Sequence, residues 1–425
     1  MGADSESRMT RFVVNQGVLR DQPFSLVDVG ASGGIEQHWR HFGSSLEAVG
    51  FDPLFSEVER LNKAEQNSRV RYVASRVGYR ELPALTADAG FDADPYPRTS
   101  TVRAWEILNC NYTNTYFDQT HGGGLTSELI ELDDFFEPDL DRVDFIKVDT
   151  DGDDFAVLLG ARKLLSGTGP LGLAVETSLV GRMSPYANLF SNVDAYLRSL
   201  GYSVFAIEPR LHSRAALPRP FRWFQPADTH GGQSRWADTL FFRDVCLPGY
   251  EARFHVTLTA QKLLKLCCAF ELFHLEDCAA EVLLKFRDRI RPLVDVDHCL
   301  DLLTPPLPDG RLVSYPEYID SFEKNVARFY SGTGTPADLK AAEKCDRLQL
   351  RLDDLEKQLA HRDDQNRLLD AALTDLKAQL EKAEQERAGL RHSIDSSLAL
   401  RAARLLPPLP LRLRSLLTKR PHSIV

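Results

Sequence analysis

One stretch limits the folds open to this chain more than any other. In Ser25-Leu26-Val27-Asp28-Val29-Gly30-Ala31-Ser32-Gly33-Gly34 an apolar run ends in an acid and opens into a glycine-rich turn. The pattern predicts a helix from Ile35, then a short strand, Leu46 to Phe51, leading into Gly50-Phe51-Asp52-Pro53. Strand, glycine turn, helix and acid-tipped strand make the opening βαβ unit of nucleotide-cofactor folds. There, glycines let a ligand approach the backbone and the second acid takes ribose hydroxyls. Asp28, Gly30, Ala31, Gly33 and Asp52 are therefore the candidate cofactor contacts. Taken singly, such a turn also serves plain strand-to-helix packing. The spacing of Asp28 and Asp52 favours the ligand-binding reading.

Charge narrows the choice of ligand. A carboxylate at Asp28 would repel the pyrophosphate of NAD but suits a ligand carrying an ammonium and a sulfonium. No Gly-Lys-Ser/Thr follows the turn, so a phosphate-cradling P-loop is absent. The favoured cofactor is S-adenosylmethionine. A net charge of -10 argues against a general nucleic-acid partner, which calls for a basic face. The seven cysteines form no C-x-x-C pair, no charged-then-apolar leader opens the chain, and no apolar run approaches bilayer length. These features suggest reduced thiols and a cytoplasmic location.

In chain order, residues 1–20 read as a lead-in and residues 21–250 as an α/β domain with a doubly wound, mostly parallel sheet. A helix is expected over Leu54 to Gln66 and a strand around Val70, Tyr72 and Val73. Regular patterning fades between Tyr79 and Thr126, an insertion expected to close over substrate. Further strands are expected at Val143 to Val148, Leu171 to Val175, Tyr202 to Ile207 and Thr239 to Phe242. One helix is expected to begin within Thr150 to Phe155 and run to about Leu165, and another to run from Asn188 to Leu200. Asp28, Asp52, Asp149 and Glu176 then fall at strand tips, where such sheets bind ligands.

Five ordered segments carry a family resemblance. They are Asp28-Val29-Gly30-Ala31, Phe51-Asp52-Pro53, Glu131-Leu132-Asp133-Asp134-Phe135, Ile146-Lys147-Val148-Asp149-Thr150-Asp151-Gly152-Asp153-Asp154 and Leu173-Ala174-Val175-Glu176. The sequence resembles the FkbM-type methyltransferases, a class I S-adenosylmethionine-dependent family with a Rossmann-like fold. The resemblance covers roughly residues 20 to 245. It implies methyl transfer, here expected at a hydroxyl. A methyltransferase-like module followed by a heptad region and basic tail resembles bacterial surface-polysaccharide assembly proteins, which points to a sugar in a polysaccharide or glycolipid precursor. Asp151 and Asp154 stand where that family has glutamates, keeping the charge and shortening the reach.

An alcohol nucleophile needs a proton acceptor beside the methyl carbon. Asp149, Asp151 and Glu176 are the catalytic candidates, with His121 and His230 as glycine-loop alternatives. Each has a plainer reading. Asp149 suits a helix cap, Asp151 and Asp154 suit a helix dipole, Glu176 suits a buried arginine, and each histidine suits a bare surface loop. A divalent ion on Asp149, Asp151 and Glu176 is disfavoured, because no histidine lies beside them at ligand spacing; no metal is expected.

Residues 251–330 read as a helical module and residues 331–336 as a linker. Residues 337–395 follow as a coiled coil, with seam positions from Leu348 to Ile394 alternating at spacings of four and three. Asn366 in that seam favours a registered parallel homodimer, with a rod of roughly 70 Å. A single amphipathic helix folded back on its own chain is the competing reading. The basic, leucine-rich tail of residues 396–425 suits an anionic membrane surface, a protein partner, or disorder. Two rivals to an active enzyme stay open: an inactive scaffold that recruits glycan-assembly enzymes, and an NAD-dependent oxidoreductase.

Overall fold

The computed structural model describes residues 7–81, 125–150, 152–181, 184–212, 232–307, 310–324 and 326, with scattered positions between 348 and 389. Most of the insertion after Tyr79, Asp151, both glycine-loop histidines, most of the heptads and the whole basic tail lie outside the described residues. The chain divides into two compact units, residues 4–323 and residues 324–425 with residues 1–3.

The first unit is built on a seven-stranded sheet. Its strands are β1 (Phe24–Val29), β2 (Leu46–Asp52), β3 (Val70–Ala74), β6 (Phe145–Val148), β7 (Gly172–Ser178), β8 (Tyr202–His212) and β9 (Gln233–Arg243). A separate pair joins β4 (Arg76–Val77) to β5 (Leu129–Ile130). The order is β3-β2-β1-β6-β7-β9-β8, with β3 through β7 parallel. β9 inserts antiparallel between β7 and β8. This is the doubly wound, mostly parallel sheet that the alternation of elements requires.

Period-two alternation sends neighbouring side chains to opposite faces. Leu26, Ala48, Phe145 and Phe242 enter one core, while Val27, Val49, Ile146 and Phe241 enter the other. The second core is covered by α3 (Leu132–Phe136), α4 (Asp154–Leu159), α5 (Arg162–Ser166) and α6 (Phe190–Ser199). The first is covered by α1 (Arg8–Asn15), α2 (Phe55–Ala64) and the helices after the sheet.

Two helices differ from the pattern-based expectation. After the glycine turn the chain forms a 3₁₀ stretch, Gln37–Ser45, and not an α-helix from Ile35. Trp39 and Phe42, buried three apart, match three residues per turn. Gly43 at φ 53° then breaks the stretch, and Ser45 is buried beyond the kink. The expected helix to Leu165 is interrupted between α4 and α5, where a Cβ on Gly160 would lie 2.1 Å from the carbonyl of Gly78.

The chain after β9 forms α7 (Tyr250–Phe254), α8 (Ala260–Leu272), α9 (Glu276–Lys285), α10 (Arg287–Ile290), α11 (Val296–Leu303) and α12 (Tyr315–Lys324). Phe270 of α8 meets Phe242 of the sheet at a ring separation of 4.5 Å. Glu271 accepts the free N–H groups of Met9 and Thr10 at 2.9 and 2.7 Å, fastening the start of α1. Asp144, fully buried, meets Lys262 at 2.8 Å and Lys265 at 2.7 Å, tying α8 to the amino end of β6. In the second unit, residues 376–386 are helical, with Leu376 and Ala383 buried. No helix among the described residues is long and apolar enough to cross a membrane.

Candidate functional site

The glycine turn after β1 lies at the carboxyl edge of the parallel strands, as the sequence pattern requires. Gly30, Gly33 and Gly34 have φ of 85°, 85° and 90°, a region that side-chain-bearing residues rarely enter. Gly30 has a second constraint, because a Cβ there would lie 1.8 Å from the carbonyl oxygen of Asp149. The amides of Gly30 and Ala31 both donate to the carbonyl of Phe51, at 3.0 and 2.9 Å. Gly33 N–H donates to Glu57 at 2.9 Å, and Ile35 N–H donates to the hydroxyl of Tyr72 at 3.1 Å. Neighbouring elements thus hold the turn from β2, α2 and β3.

The acids divide by environment. Asp28 is 1% exposed and faces Lys147 across the register of β1 and β6. The ammonium of Lys147 lies 3.2 Å from Asp28 and 3.5 Å from Asp149. Burial lifts the Asp28 carboxyl to about 6, opposed by Lys147. Lys147 is held above the ordinary lysine range: burial opposes its charge, but Asp28, Asp149 and Glu36 outweigh it. The charge that Asp28 carries is therefore met inside the fold. Two carboxylates are displayed beside the turn, Asp149 at 51% exposure and Glu36 at 45%.

Asp52, 7% exposed, accepts the N–H of Leu54 at 2.8 Å, which shapes the turn into α2. Asp154 is fully buried and accepts from Thr150 N–H at 3.0 Å, Gly152 N–H at 3.2 Å and the Asn188 amide at 2.9 Å. Burial lifts it to about 6 against those donors. It acts as a clamp on the loop after β6. Glu176, partly buried and one residue past the last parallel pair of β7 with β6, pairs in register with Asp238 of β9. Burial pushes Asp238 up, Arg210 at 2.5 Å opposes, and the charge of Asp149 adds to the rise. Asp149 thus belongs to an acidic rim that runs toward β9. Among the described residues no cluster of three or more histidine, cysteine or acidic side chains is placed to hold a metal ion.

A sequence profile of the methyltransferase FkbM domain matches residues 28–204, from the tip of β1 into β8. That stretch is similar to an FkbM methyltransferase domain. No curated protein matches the chain. Several solved structures are similar to it in part. A TehB-like SAM-dependent methyltransferase from Corynebacterium glutamicum is 10% identical, over 54% of this chain and 86% of that one, with a TM-score of 0.23. Human methyltransferase-like protein 13 in complex with SAH is 12% identical, over 65% and 91%, with a TM-score of 0.25. The glycopeptide N-methyltransferase MtfA, complexed with sinefungin, is 10% identical over 57% and 87%, with a TM-score of 0.20. These superpositions are loose, with TM-scores of 0.25 or less.

Within the matched stretch, three contributors were not singled out from the sequence. Lys147 was visible only as part of a motif, although an ionisable residue in a strand otherwise apolar was a usable signal. Asn188 donates both to Asp154 and, at 3.1 Å, to the carbonyl of Glu176, joining two of the tips. Glu57 is 3% exposed and braces the glycine turn. Neither has a local pattern that would have marked it.

Proposed function

We propose that the FkbM-like domain is an S-adenosylmethionine-dependent O-methyltransferase acting on a hydroxyl, that of a sugar in a polysaccharide or glycolipid precursor. The observation that carries this reading is the half-exposed Asp149 carboxylate beside a turn of three positive-φ glycines, within a matched methyltransferase domain. The residues present fit the cofactor. Side-chain-free backbone at Gly30 and Gly33 admits close approach, Asp52 stands at the tip of β2, and the rim is acidic toward a cation. When bound, S-adenosylmethionine supplies an electrophilic methyl carbon on a positively charged sulfur.

The chain's own residues supply position and proton transfer. Asp149 is the favoured acceptor for the proton of the attacking hydroxyl, being a half-exposed carboxylate whose backbone meets the turn at Gly30. Lys147 fixes its orientation, and the loop clamp at Asp154 sets the height of the strand tip. Glu176 is a second candidate at the adjacent tip. The sugar acceptor rests on the FkbM resemblance, together with a heptad region and basic tail that suit assembly at a membrane face.

Calorimetric titration of the full chain with S-adenosylmethionine tests the cofactor, with Asp52→Ala expected to weaken binding. Mass spectrometry of surface glycans from cells with and without the gene tests the acceptor, with loss of a methyl group expected. Absence of cofactor binding would return the domain to the inactive scaffold reading.

A further inference from the structure

The opposite end of the sheet carries a cleft that the proposed methyl transfer does not use. Arg20, Arg69, Arg71 and Arg142 line it, along with Asp21 and Glu47, around a volume of about 430 Å³. All four arginines are exposed on a chain whose net charge is -10. They come from segments that the parallel sheet brings together at its amino edge. Arg20 precedes β1, Arg69 and Arg71 flank the start of β3, and Arg142 precedes β6. Arg142 is shared with Glu47 at 3.4 Å and Asp139 at 3.5 Å. Arg71 leans over the ring of Phe135 at 5.5 Å. Among the described residues, Arg20 and Arg69 make no ion pair.

We propose that this cleft binds a phosphate-bearing anion of diphosphate size. Four guanidinium groups against two carboxylates leave an excess of positive charge inside a concavity. The planar fork of arginine matches phosphate oxygens two at a time, which a lysine patch would not do. The start of β3 fixes the bases of Arg69 and Arg71, so an anion needs to order only their ends. A diphosphate fits the volume, and either a soluble diphosphate or an anionic lipid headgroup presents the same oxygens.

The test uses the full chain and inorganic pyrophosphate in a calorimetric titration, beside co-sedimentation with vesicles of phosphatidylcholine containing phosphatidylglycerol. Arg69→Ala/Arg71→Ala is compared with the parent and with Arg253→Ala/Arg291→Ala, two exposed arginines outside the cleft whose loss matches the change in net charge. Pyrophosphate affinity at least about tenfold weaker in the cleft variant alone supports the site and a soluble source. Vesicle binding lost in the cleft variant alone supports the site and a lipid source. Equal binding by all three proteins in both assays, or no binding by the parent in either, overturns the proposal. An unchanged melting temperature in the cleft variant shows that the fold is intact.

Discussion

Gly30 and Asp149 meet backbone to backbone, so closely that the carbonyl of Asp149 occupies the position a side chain on residue 30 would need. The tips of β1 and β6 touch there, and the hydrogen bond from Asp149 N–H to Val29 at 2.9 Å secures the contact. The glycine is thus required twice, by its φ of 85° and by its neighbour. Gly30→Ala must push the two tips apart. The expected result is loss of cofactor binding by calorimetry and a stability loss of about 2 kcal/mol or more by denaturant unfolding.

Lys147 and Asp28 form a pair that is mostly enclosed, with side chains 17% and 2% exposed. Lys147→Met would leave a buried carboxylate without its counter-charge, at an expected cost of about 2–4 kcal/mol. Asp28→Asn/Lys147→Met removes both charges and is expected to be more stable than Lys147→Met alone. Unfolding of the parent, both single variants and the double variant gives the coupling. Additive losses would show that the two residues do not interact.

Asp154 offers a pH signature. Its carboxyl, lifted to about 6, holds a proton in the folded state across a range where the unfolded chain has released it. The folded state therefore binds more protons between the ordinary carboxylate range and about pH 6. This group's contribution to stability grows as pH falls through that window. Asp28, also at about 6, acts in the same direction. The gain is roughly 3 kcal/mol per group at most. Asp154→Asn lacks its share, so the melting temperature of the parent is expected to gain on that of the variant between pH 8 and pH 5. Parallel curves would contradict the protonation assigned to Asp154.

Strand tips were legible in the sequence because each is a local event: an apolar run, an acid, a turn. Asp52 and Asp149 stand at strand tips and Asp28 one residue before one, whereas Glu176 lies within β7, which runs on to Ser178 in its antiparallel pairing with β9. What local pattern could not convey was which acids are already partnered. Asp28 and Lys147 are 119 residues apart in sequence, and Glu271 reaches back 262 residues to cap α1. β9 also runs well beyond Thr239–Phe242, from Gln233, since its first half pairs in a half-exposed hairpin with β8 and lacks an apolar run. The 3₁₀ stretch shares its apolar spacing of three with an α-helix until Gly43 breaks it.

Asp144 is the joint between the helices after the sheet and the sheet itself. Its carboxylate is fully buried between Lys262 and Lys265 and also accepts Ser25 N–H at 2.9 Å. Asp144→Ala would strand two enclosed ammonium groups and one backbone donor. A loss of about 3–5 kcal/mol is expected. Limited proteolysis should then release fragments beginning within α8. An unaltered melting temperature would mean that aromatic packing around Phe270 and Phe273 suffices to hold these helices.

The heptad region carries the last prediction. In the described helix of residues 376–386, the sheltered positions Leu376 and Ala383 stand seven apart, with Leu380 partly buried between them. Those are three successive seam positions of the repeat. Burial within one chain comes from that chain's own residues, as a folded-back helix gives and a partnerless rod would not, yet burial alone does not choose between the two in solution. Oligomeric state does. A parallel rod predicts that the full chain is a dimer by light scattering and that a chain ending at Thr335 is a monomer. Asn366→Leu separates the two further. In a dimer seam it removes the polar residue that fixes register and admits higher oligomers, whereas in a self-covered helix the chain stays monomeric.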